Sequence, residues 1–256
     1  MFKFFRRIRQ KLFAEKKFSN YLLYAIGEIF LVVIGILIAL AINNSNQQRL
    51  LRQKEQTYLA GLKNEFEISK VKLQELIRVN RQNFEGAKHI VEYMGDEASA
   101  PTEKAFSELL YNTFAMDVAF NPNNSLLNEM ISSGSLKDIL NDSLRIMLTN
   151  WVSTLEDVAK QENELGMQRE KVNELLVDEA YSIRTAFDLA GVSEDYLGLE
   201  PQKHHASNLE LLDSNAFSNN VLIFMLTSKA TETNHYIPLM QELDAILIKL
   251  KEEIGD

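Results

Sequence analysis

The chain has 256 residues, with 36 acidic and 27 basic side chains and a formal net charge of −9. It contains no cysteine, which excludes disulfides, thiolate catalysis, iron–sulfur clusters and cysteine-based zinc sites. Residues 1–49 carry eight basic and two acidic side chains, which leaves 34 acidic and 19 basic ones for residues 50–256. This asymmetry argues against nucleic acid as a partner, because its recognition requires clustered lysine and arginine.

Residues 21–42 are almost entirely apolar, and Glu28 is their one charged residue. At about 1.5 Å per residue a helix of this length reaches ~33 Å, which is enough to cross a hydrocarbon core of ~30 Å. We therefore expect one transmembrane helix at 21–42. A leader precedes it at 1–20, and a helical domain follows it at 46–256.

The charges beside this segment predict its orientation. The leader carries seven lysine or arginine residues against one acid, Glu15, whereas the stretch after the span is neutral and rich in amides as far as Arg49. Basic residues next to a membrane helix stay in the cytoplasm, and they also bind anionic lipid. The sequence predicts a bacterial inner-membrane protein with a cytoplasmic N-terminus and a periplasmic C-terminal domain.

A cleaved signal peptide is the alternative interpretation of the same segment. Ala39-Leu40-Ala41 matches the small-residue pattern of a cleavage site. However, the apolar stretch is longer than the 7–15 residues of a secretory signal, which favours an anchor that is not cleaved.

Only four prolines and ten glycines interrupt the chain, so long helices are expected. The first helix of the domain is predicted from about Asn46 to Met94, either separate from the membrane helix or continuous with it. Shorter helices are predicted at 101–116, with Thr102 near the start, and at 126–132, closed by Gly134.

The clearest periodicity starts at the predicted cap Asn141-Asp142 and continues to Gly191. Apolar residues recur there at a strict spacing of 3.5 residues, which is typical of a coiled-coil-like seam. Eleven of the fourteen seam positions are apolar: Leu144, Leu148, Trp151, Leu155, Val158, Leu165, Val172, Leu176, Ile183, Ala186 and Ala190. A connector at 191–212 and a last helix from Ser214 to Ile254, with a kink at Pro238, complete the chain.

Strand signals are nearly absent, since no alternating run is bounded by hairpin turns. The predicted fold class is all-α: one N-terminal transmembrane helix followed by an elongated, coiled-coil-like helical bundle. Three long helices form the bundle, and the short helices of residues 102–139 pack at one end of it.

Two stretches, together with the leader residues Phe4-Phe5-Arg6-Arg7-Ile8-Arg9, carry a resemblance to a known family. The first runs from Tyr24-Ala25-Ile26-Gly27-Glu28-Ile29 through Leu31–Leu40 to Ile42-Asn43-Asn44. The second is Ile131-Ser132-Ser133-Gly134-Ser135-Leu136, followed by residues 140–145. Together they resemble a family of uncharacterised single-pass membrane proteins from Bacteroidota-type bacteria. That family usually has Gln, Trp and Glu where this chain has Ala41, Ser45 and Gln47. The resemblance implies a membrane anchor and no particular activity.

The transmembrane segment contains candidate residues for contact with another membrane helix. Glu28 is costly within a bilayer unless it finds a partner or reaches the interface. Gly35 and Ala39 form a small-xxx-small pair that allows close helix approach, and Gly27 lies on a similar face. Contact between helices, no specific role and proton chemistry all remain open for Glu28.

Polar residues at seam positions form a second set of candidates: Asn80, Glu162, Arg169 and Glu179. A buried polar residue in a helical seam can fix register or partner state. Ion pairs with a neighbouring helix, or a seam that opens to water, would place the same residues there.

Signals for catalysis are weak. Glu232 and His235 form one Glu-x-x-His unit of the kind that binds metals in helical bundles, but a second unit is missing from the sequence. Nucleophile elbows, phosphate-binding loops and zinc-helix motifs are absent as well. We predict no catalytic, cofactor-binding or metal-binding residues, and we expect Trp151 to belong to the core.

Three functions therefore stay open. The first is a membrane-anchored interaction or scaffold module that binds a protein partner or further copies of itself. The second is a sensor-like ectodomain that binds a ligand and works with a membrane partner. The third is a metal-binding helical-bundle enzyme.

Overall fold

The computed structural model describes residues 18–95 and 100–254, with side chains described from Leu22 onwards. Residues 1–17, most of the predicted leader, lie outside this part. Throughout the described ranges the structure is helical and contains no strand, which confirms the all-α fold class. The chain divides into two compact units between Thr57 and Tyr58.

The α-helices, in chain order, are α1 (Phe18–Met94), α2 (Glu103–Phe114), α3 (Ser125–Ser133), α4 (Asp142–Leu176), α5 (Ile183–Leu189), α6 (Val192–Asp195), α7 (Asn215–Thr231) and α8 (Ile237–Ile254). Two 3₁₀ turns, Ser135–Asp138 and Leu209–Asp213, and a π-helical turn, Glu232–Tyr236, complete the elements.

Helix α1 is uninterrupted over 77 residues, so the apolar segment and the first helix of the bundle are continuous. Its buried side chains in the bundle recur at alternating three- and four-residue steps, which is the spacing of one helix face. They are Leu59, Leu62, Phe66, Ser69, Leu73, Asn80, Asn83, Ala87 and Ile90. Ile77 and Val91 are half-buried beside this stripe.

The start of α2 and the end of α3 coincide with the predicted signals. Thr102 caps α2, since its hydroxyl accepts a hydrogen bond from the backbone N–H of Ala105 at 3.2 Å. Gly134 ends α3 with a φ of +71°, a left-handed conformation that glycine adopts without steric cost. Helix α2 packs against α5 and α4.

Helix α4 begins at the predicted cap, where the side chain of Asn141 accepts a hydrogen bond from the backbone N–H of Leu144 at 3.0 Å. The seam is confirmed from Leu144 to Leu176, because eight of its ten positions in this range are buried. The predicted continuation of the helix to Gly191 is wrong, since α4 ends at Leu176.

A tertiary contact holds the chain in a turn after α4. The side chain of Asn208 accepts a hydrogen bond from the backbone N–H of Ser182 at 2.8 Å and donates one to its carbonyl at 2.9 Å. Ser182 then caps α5 through the backbone N–H of Thr185. Because Asn208 lies 26 residues further along the chain, local periodicity does not reveal this break. Gly191, with a φ of +79°, follows the end of α5.

The last predicted helix is observed as α7, the π-helical turn and α8, which follow one another without a gap. A kink was predicted at Pro238; the structure has a π-helical turn directly before this residue. Proline lacks a backbone N–H, and its ring excludes the carbonyl four residues earlier. A wider turn directly before Pro238 removes that conflict.

The core of the bundle lies between α1, α4 and the α7–α8 run. Trp151 of α4 is 1% exposed, and its ring centroid lies 5.1 Å from that of Phe66 on α1. Phe114 of α2 packs edge-on against Phe224 of α7 at 5.2 Å. The prediction that Trp151 belongs to the core is therefore confirmed.

Candidate functional site

The apolar part of α1 exposes its side chains. From Leu22 to Ile42 the large apolar residues are mostly more than half exposed, and Leu23 reaches 74%. Within the described residues this is one stretch long and apolar enough to cross a membrane, and none of it is buried by the rest of the chain. Hydrocarbon is the medium that would cover such a surface, because water around it is unfavourable.

The four predicted contact residues of the membrane segment, Gly27, Glu28, Gly35 and Ala39, all lie in this part of α1. A Cβ atom placed on Gly27 or Gly35 would meet no other heavy atom within 4 Å. Gly35 and Ala39 lie about one helical turn apart on α1. The predicted contact with a second membrane helix stays a prediction.

The polar seam is centred on Glu162 of α4, which is 8% exposed. Its Oε1 atom accepts the backbone N–H of Phe120 at 2.8 Å and the hydroxyl of Tyr236 at 3.0 Å. Burial raises the pKa of Glu162 above its ordinary value, although both hydrogen bonds oppose that change, and the charge of Asp117 adds to it. Burial and the adjacent Glu162 carboxylate raise the pKa of Tyr236.

Arg169 holds the same part of the chain as Glu162. Its guanidinium lies 3.0 Å from the carboxylate of Asp117, three residues before Phe120. Glu162 and Arg169 are two helical turns apart on α4, so both reach the segment between α2 and α3. The structure thus joins these two predicted residues in one role, which is to fix that segment against α4.

Asn80 is buried and links α1 to α7 through two hydrogen bonds, which we call the Asn80 lock. Its side-chain amide donates to the carbonyl of Ser228 at 3.2 Å and accepts the Ser228 hydroxyl at 3.0 Å. Both side chains are at most 1% exposed. The two reciprocal bonds satisfy the amide and set the position of α7 along α1, as a polar seam residue is expected to do.

Glu179 does not belong to this seam. It lies in the turn between α4 and α5, where its side chain is exposed. The prediction assumed that α4 continues through this position, and the break after Leu176 removes it from any helix face.

Sequence reasoning missed three polar residues of α1 that hold the start of α3 and the segment before it. The carboxylate of Glu65 accepts the backbone N–H groups of Leu126 and Leu127, at 2.7 and 3.3 Å, and so caps α3 from another helix. Ser69 exchanges hydrogen bonds with the backbone of Asn123. Lys72 donates to the Asn123 side chain at 2.6 Å. The spacing Glu65, Ser69, Lys72 places them on one helix face, which is the signal that could have found them.

A fourth missed residue is Asp188, whose carboxylate is fully buried. It accepts the guanidinium of Arg184 at 2.7 Å and the backbone N–H of Gln202 at 2.9 Å, and His205 lies 3.3 Å away. Burial alone would raise the pKa of Asp188. The hydrogen bonds from Gln202 and Arg184, together with the charge of Arg184, outweigh it and lower the pKa to about 2.

The Glu-x-x-His unit lies in the π-helical turn. Glu232 is buried, and its Oε1 atom pairs with the guanidinium of Arg81 on α1 at 2.9 Å. This pair links α1 to the α7–α8 run next to the Asn80 lock. Among residues 18–95 and 100–254 no group of three or more His, Cys, Asp or Glu side chains is placed to hold a metal ion.

A groove of about 700 Å³ lies between α1 and α2. Its walls include Arg78, Gln82 and His89 of α1 and Asn112 of α2. Gly86 and Thr113 also line it and lie close together, because a Cβ atom on Gly86 would lie 2.2 Å from the Thr113 hydroxyl oxygen. The close approach of α1 and α2 therefore requires glycine at this position.

Fold and surface together define the class of this protein, a helical bundle joined to one helix that can span a membrane. The chain belongs to the family described as "Family of unknown function (DUF6090)", whose pattern it matches over residues 28–183. This match covers residues 28–42 of the apolar segment, the bundle part of α1, and α2 to α4. No curated protein and no solved structure matches the chain.

Proposed function

We propose that this protein is a membrane-anchored interaction module of the bacterial inner membrane, with its N-terminus in the cytoplasm and its helical bundle in the periplasm. The observation that carries the proposal is the exposed apolar stretch of α1, which continues without a break into the bundle. The excess of basic residues before this stretch supports the orientation.

The buried polar residues support a binding role over a catalytic one. Glu162, Asn80 and Glu232 each hold a neighbouring element through hydrogen bonds or an ion pair. Because these buried groups are engaged in fixing the helices of the bundle, they keep its outer surface rigid. We propose that the bundle presents this surface to a partner and that the anchor keeps it at the membrane.

Reporter fusions test the orientation. A reporter active only in the periplasm, fused behind Asp256, should be active, and one active only in the cytosol should not. The opposite result would contradict the proposed topology. Because the chain has no cysteine, Thr149→Cys and Gln10→Cys provide single thiols on either side. An impermeant maleimide should label the first in spheroplasts and the second only after lysis.

Carbonate-washed membranes test the anchor itself. The protein should remain in the washed membranes with its leader present, as shown by N-terminal sequencing. A chain that begins after Ala41 and leaves the membranes would instead support the cleaved signal peptide.

A ligand-binding ectodomain is the second candidate, and the groove between α1 and α2 favours it. Its walls carry polar and charged side chains, which suit a small polar ligand. Heat-stability measurements of the full chain in detergent against a panel of small polar metabolites test this role. A rise in melting temperature that disappears in Gln82→Ala would support it.

A further inference from the structure

From Asn215 to Ile248 the solvent-facing side of the α7–α8 run is almost free of charge, whereas Lys251 and Glu252 near the end of α8 are exposed. Fourteen residues between 215 and 248 are exposed: Asn215, Ala216, Asn219, Leu222, Ile223, Leu226, Lys229, Thr233, Asn234, Ile237, Pro238, Gln241, Ala245 and Ile248. One of these fourteen is charged, and none is acidic. We call this set the α7–α8 face.

Helix α4, which packs against the same run, shows the usual surface for this protein. Fifteen of its residues are exposed, and seven of them are charged: Asp142, Glu156, Asp157, Lys160, Glu170, Lys171 and Glu174. A helix face that stays in water normally carries such charges. The contrast shows that the α7–α8 face has the composition of a covered surface.

The apolar residues of this face do not belong to the core of the bundle. The inner side of α7 is supplied by Phe217, Val221 and Phe224, which are at most 2% exposed. Leu222, Ile223 and Leu226 lie on the outer side, and Leu226 is 72% exposed. A helix that is apolar on both sides is typical of one with a partner on each side.

The distribution of charged residues indicates which partner covers the α7–α8 face. Residues 50–256 carry 34 acidic and 19 basic side chains, so two copies of the bundle repel each other across most surfaces. The α7–α8 face contains no acid, and two acids of α8 beside it are paired: the half-buried Asp244 with Lys70 at 2.6 Å, and the exposed Glu252 with Lys249 at 2.8 Å. Two copies can therefore meet here without that repulsion. A basic partner would be attracted to the acidic surfaces instead.

We propose that the α7–α8 face is the contact between two copies of this chain, with α7 packed against α7 across a twofold axis. The inference rests on the proposed interaction module and names its partner. A face that meets itself must be complementary to itself, and an uncharged apolar face meets that condition. Residues near the twofold axis then contact the same residue of the second copy.

Single-cysteine crosslinking of the full chain in membranes tests the contact. Leu222→Cys, Ile223→Cys and Leu226→Cys each place one thiol on the face, and Ala159→Cys places one on the exposed side of α4. Mild oxidation should give a product of twice the 29.3 kDa chain at one or more of the three positions and none at 159. No product at all three positions, or equal product at 159, would overturn the proposal.

A photo-crosslinker attached to the Leu226→Cys thiol identifies any other occupant. A product with the mass of two chains supports the proposal, whereas a product containing a different polypeptide and no two-chain product overturns it. The same membranes are washed with carbonate. Retention of the protein without a two-chain product would reject the copy–copy contact and leave the proposed anchor intact.

A charge substitution supplies an independent readout on the detergent-solubilised full chain. Leu226→Glu places an acid on the face and should convert the two-chain species to a single chain, with an unchanged circular dichroism spectrum. Ile146→Glu, at an exposed position of α4, should leave the two-chain species in place. A two-chain species that survives Leu226→Glu would count against the proposed face.

Discussion

Tyr236 donates a hydrogen bond to Glu162 at 3.0 Å, and the same carboxylate oxygen accepts the backbone N–H of Phe120. One buried atom therefore joins α4, the π-helical turn and the segment between α2 and α3. The phenol reaches this atom from the π-helical turn that precedes Pro238.

We expect Tyr236→Phe to destabilise the bundle by about 1.5–3 kcal/mol, because it removes a hydrogen bond to a buried charged group. Thermal denaturation of the full chain in detergent, followed by circular dichroism, measures the loss. Tyr196→Phe is the matched control, since Tyr196 is 80% exposed, and it should leave the melting temperature unchanged. Equal melting curves for the two variants would show that the bond contributes nothing.

The raised pKa of Glu162 predicts that the folded protein becomes less stable as the pH rises. Its pKa is raised in the folded protein, so between its unfolded and folded pKa values the native state binds more protons than the unfolded state. The free energy of unfolding then decreases with pH across this window, which starts near the ordinary carboxyl pKa of about 4.3. Glu162→Gln should remove this slope. Urea denaturation at several pH values above 4 compares the two proteins, and parallel pH profiles would contradict the prediction.

The lowered pKa of Asp188 predicts that the folded protein becomes less stable as the pH falls. Its pKa is lowered from 3.8 to about 2, so the unfolded state binds the proton first as the pH falls. The stability that Asp188 contributes is present above pH 3.8 and is lost as the pH falls towards 2. Asp188→Asn should destabilise the protein by about 1–3 kcal/mol at neutral pH. Its unfolding free energy should also fall less steeply below pH 4. A variant that keeps the parent's acid profile would exclude this role.

Gly86→Ala should destabilise the bundle even though alanine favours a helix by about 1 kcal/mol over glycine. The added Cβ atom would lie 2.2 Å from the Thr113 hydroxyl oxygen and 3.3 Å from its Cβ atom, so α1 and α2 must separate. Thr113→Ala removes the hydroxyl group. We therefore expect the double variant to lose less stability than the sum of the single variants, by about 0.5–3 kcal/mol. Additive losses in urea denaturation would show that this contact does not limit the helix spacing.

Much of the fold follows from local signals. The caps at Thr102 and Asn141 and the glycine stop at Gly134 each act within one helical turn, so the sequence predicts these helix ends correctly. The end of α4 was predicted wrongly, because the apolar spacing continues past Leu176 while Asn208 holds Ser182 in a turn. Local periodicity carries no information about such a distant partner.

The candidate site residues also include some that the sequence indicates and others that only the tertiary structure reveals. Asn80, Glu162 and Arg169 stand out in the sequence, because each interrupts an apolar spacing. Their partners do not, since Ser228, Tyr236 and Asp117 lie on other elements. Glu65 and Asp188 were missed because a carboxylate on an acidic chain gives no sign of burial until a neighbouring element covers it.

The sequence by itself determined the apolar segment, the all-α class, and which residues of α4 face inward as far as Leu176, because these depend on composition and on spacing within one helix. The tertiary structure decided where α4 ends, which carboxylates are buried, and which side of α7 is left exposed. Those features depend on contacts between residues far apart in the chain, and neither composition nor spacing records such contacts.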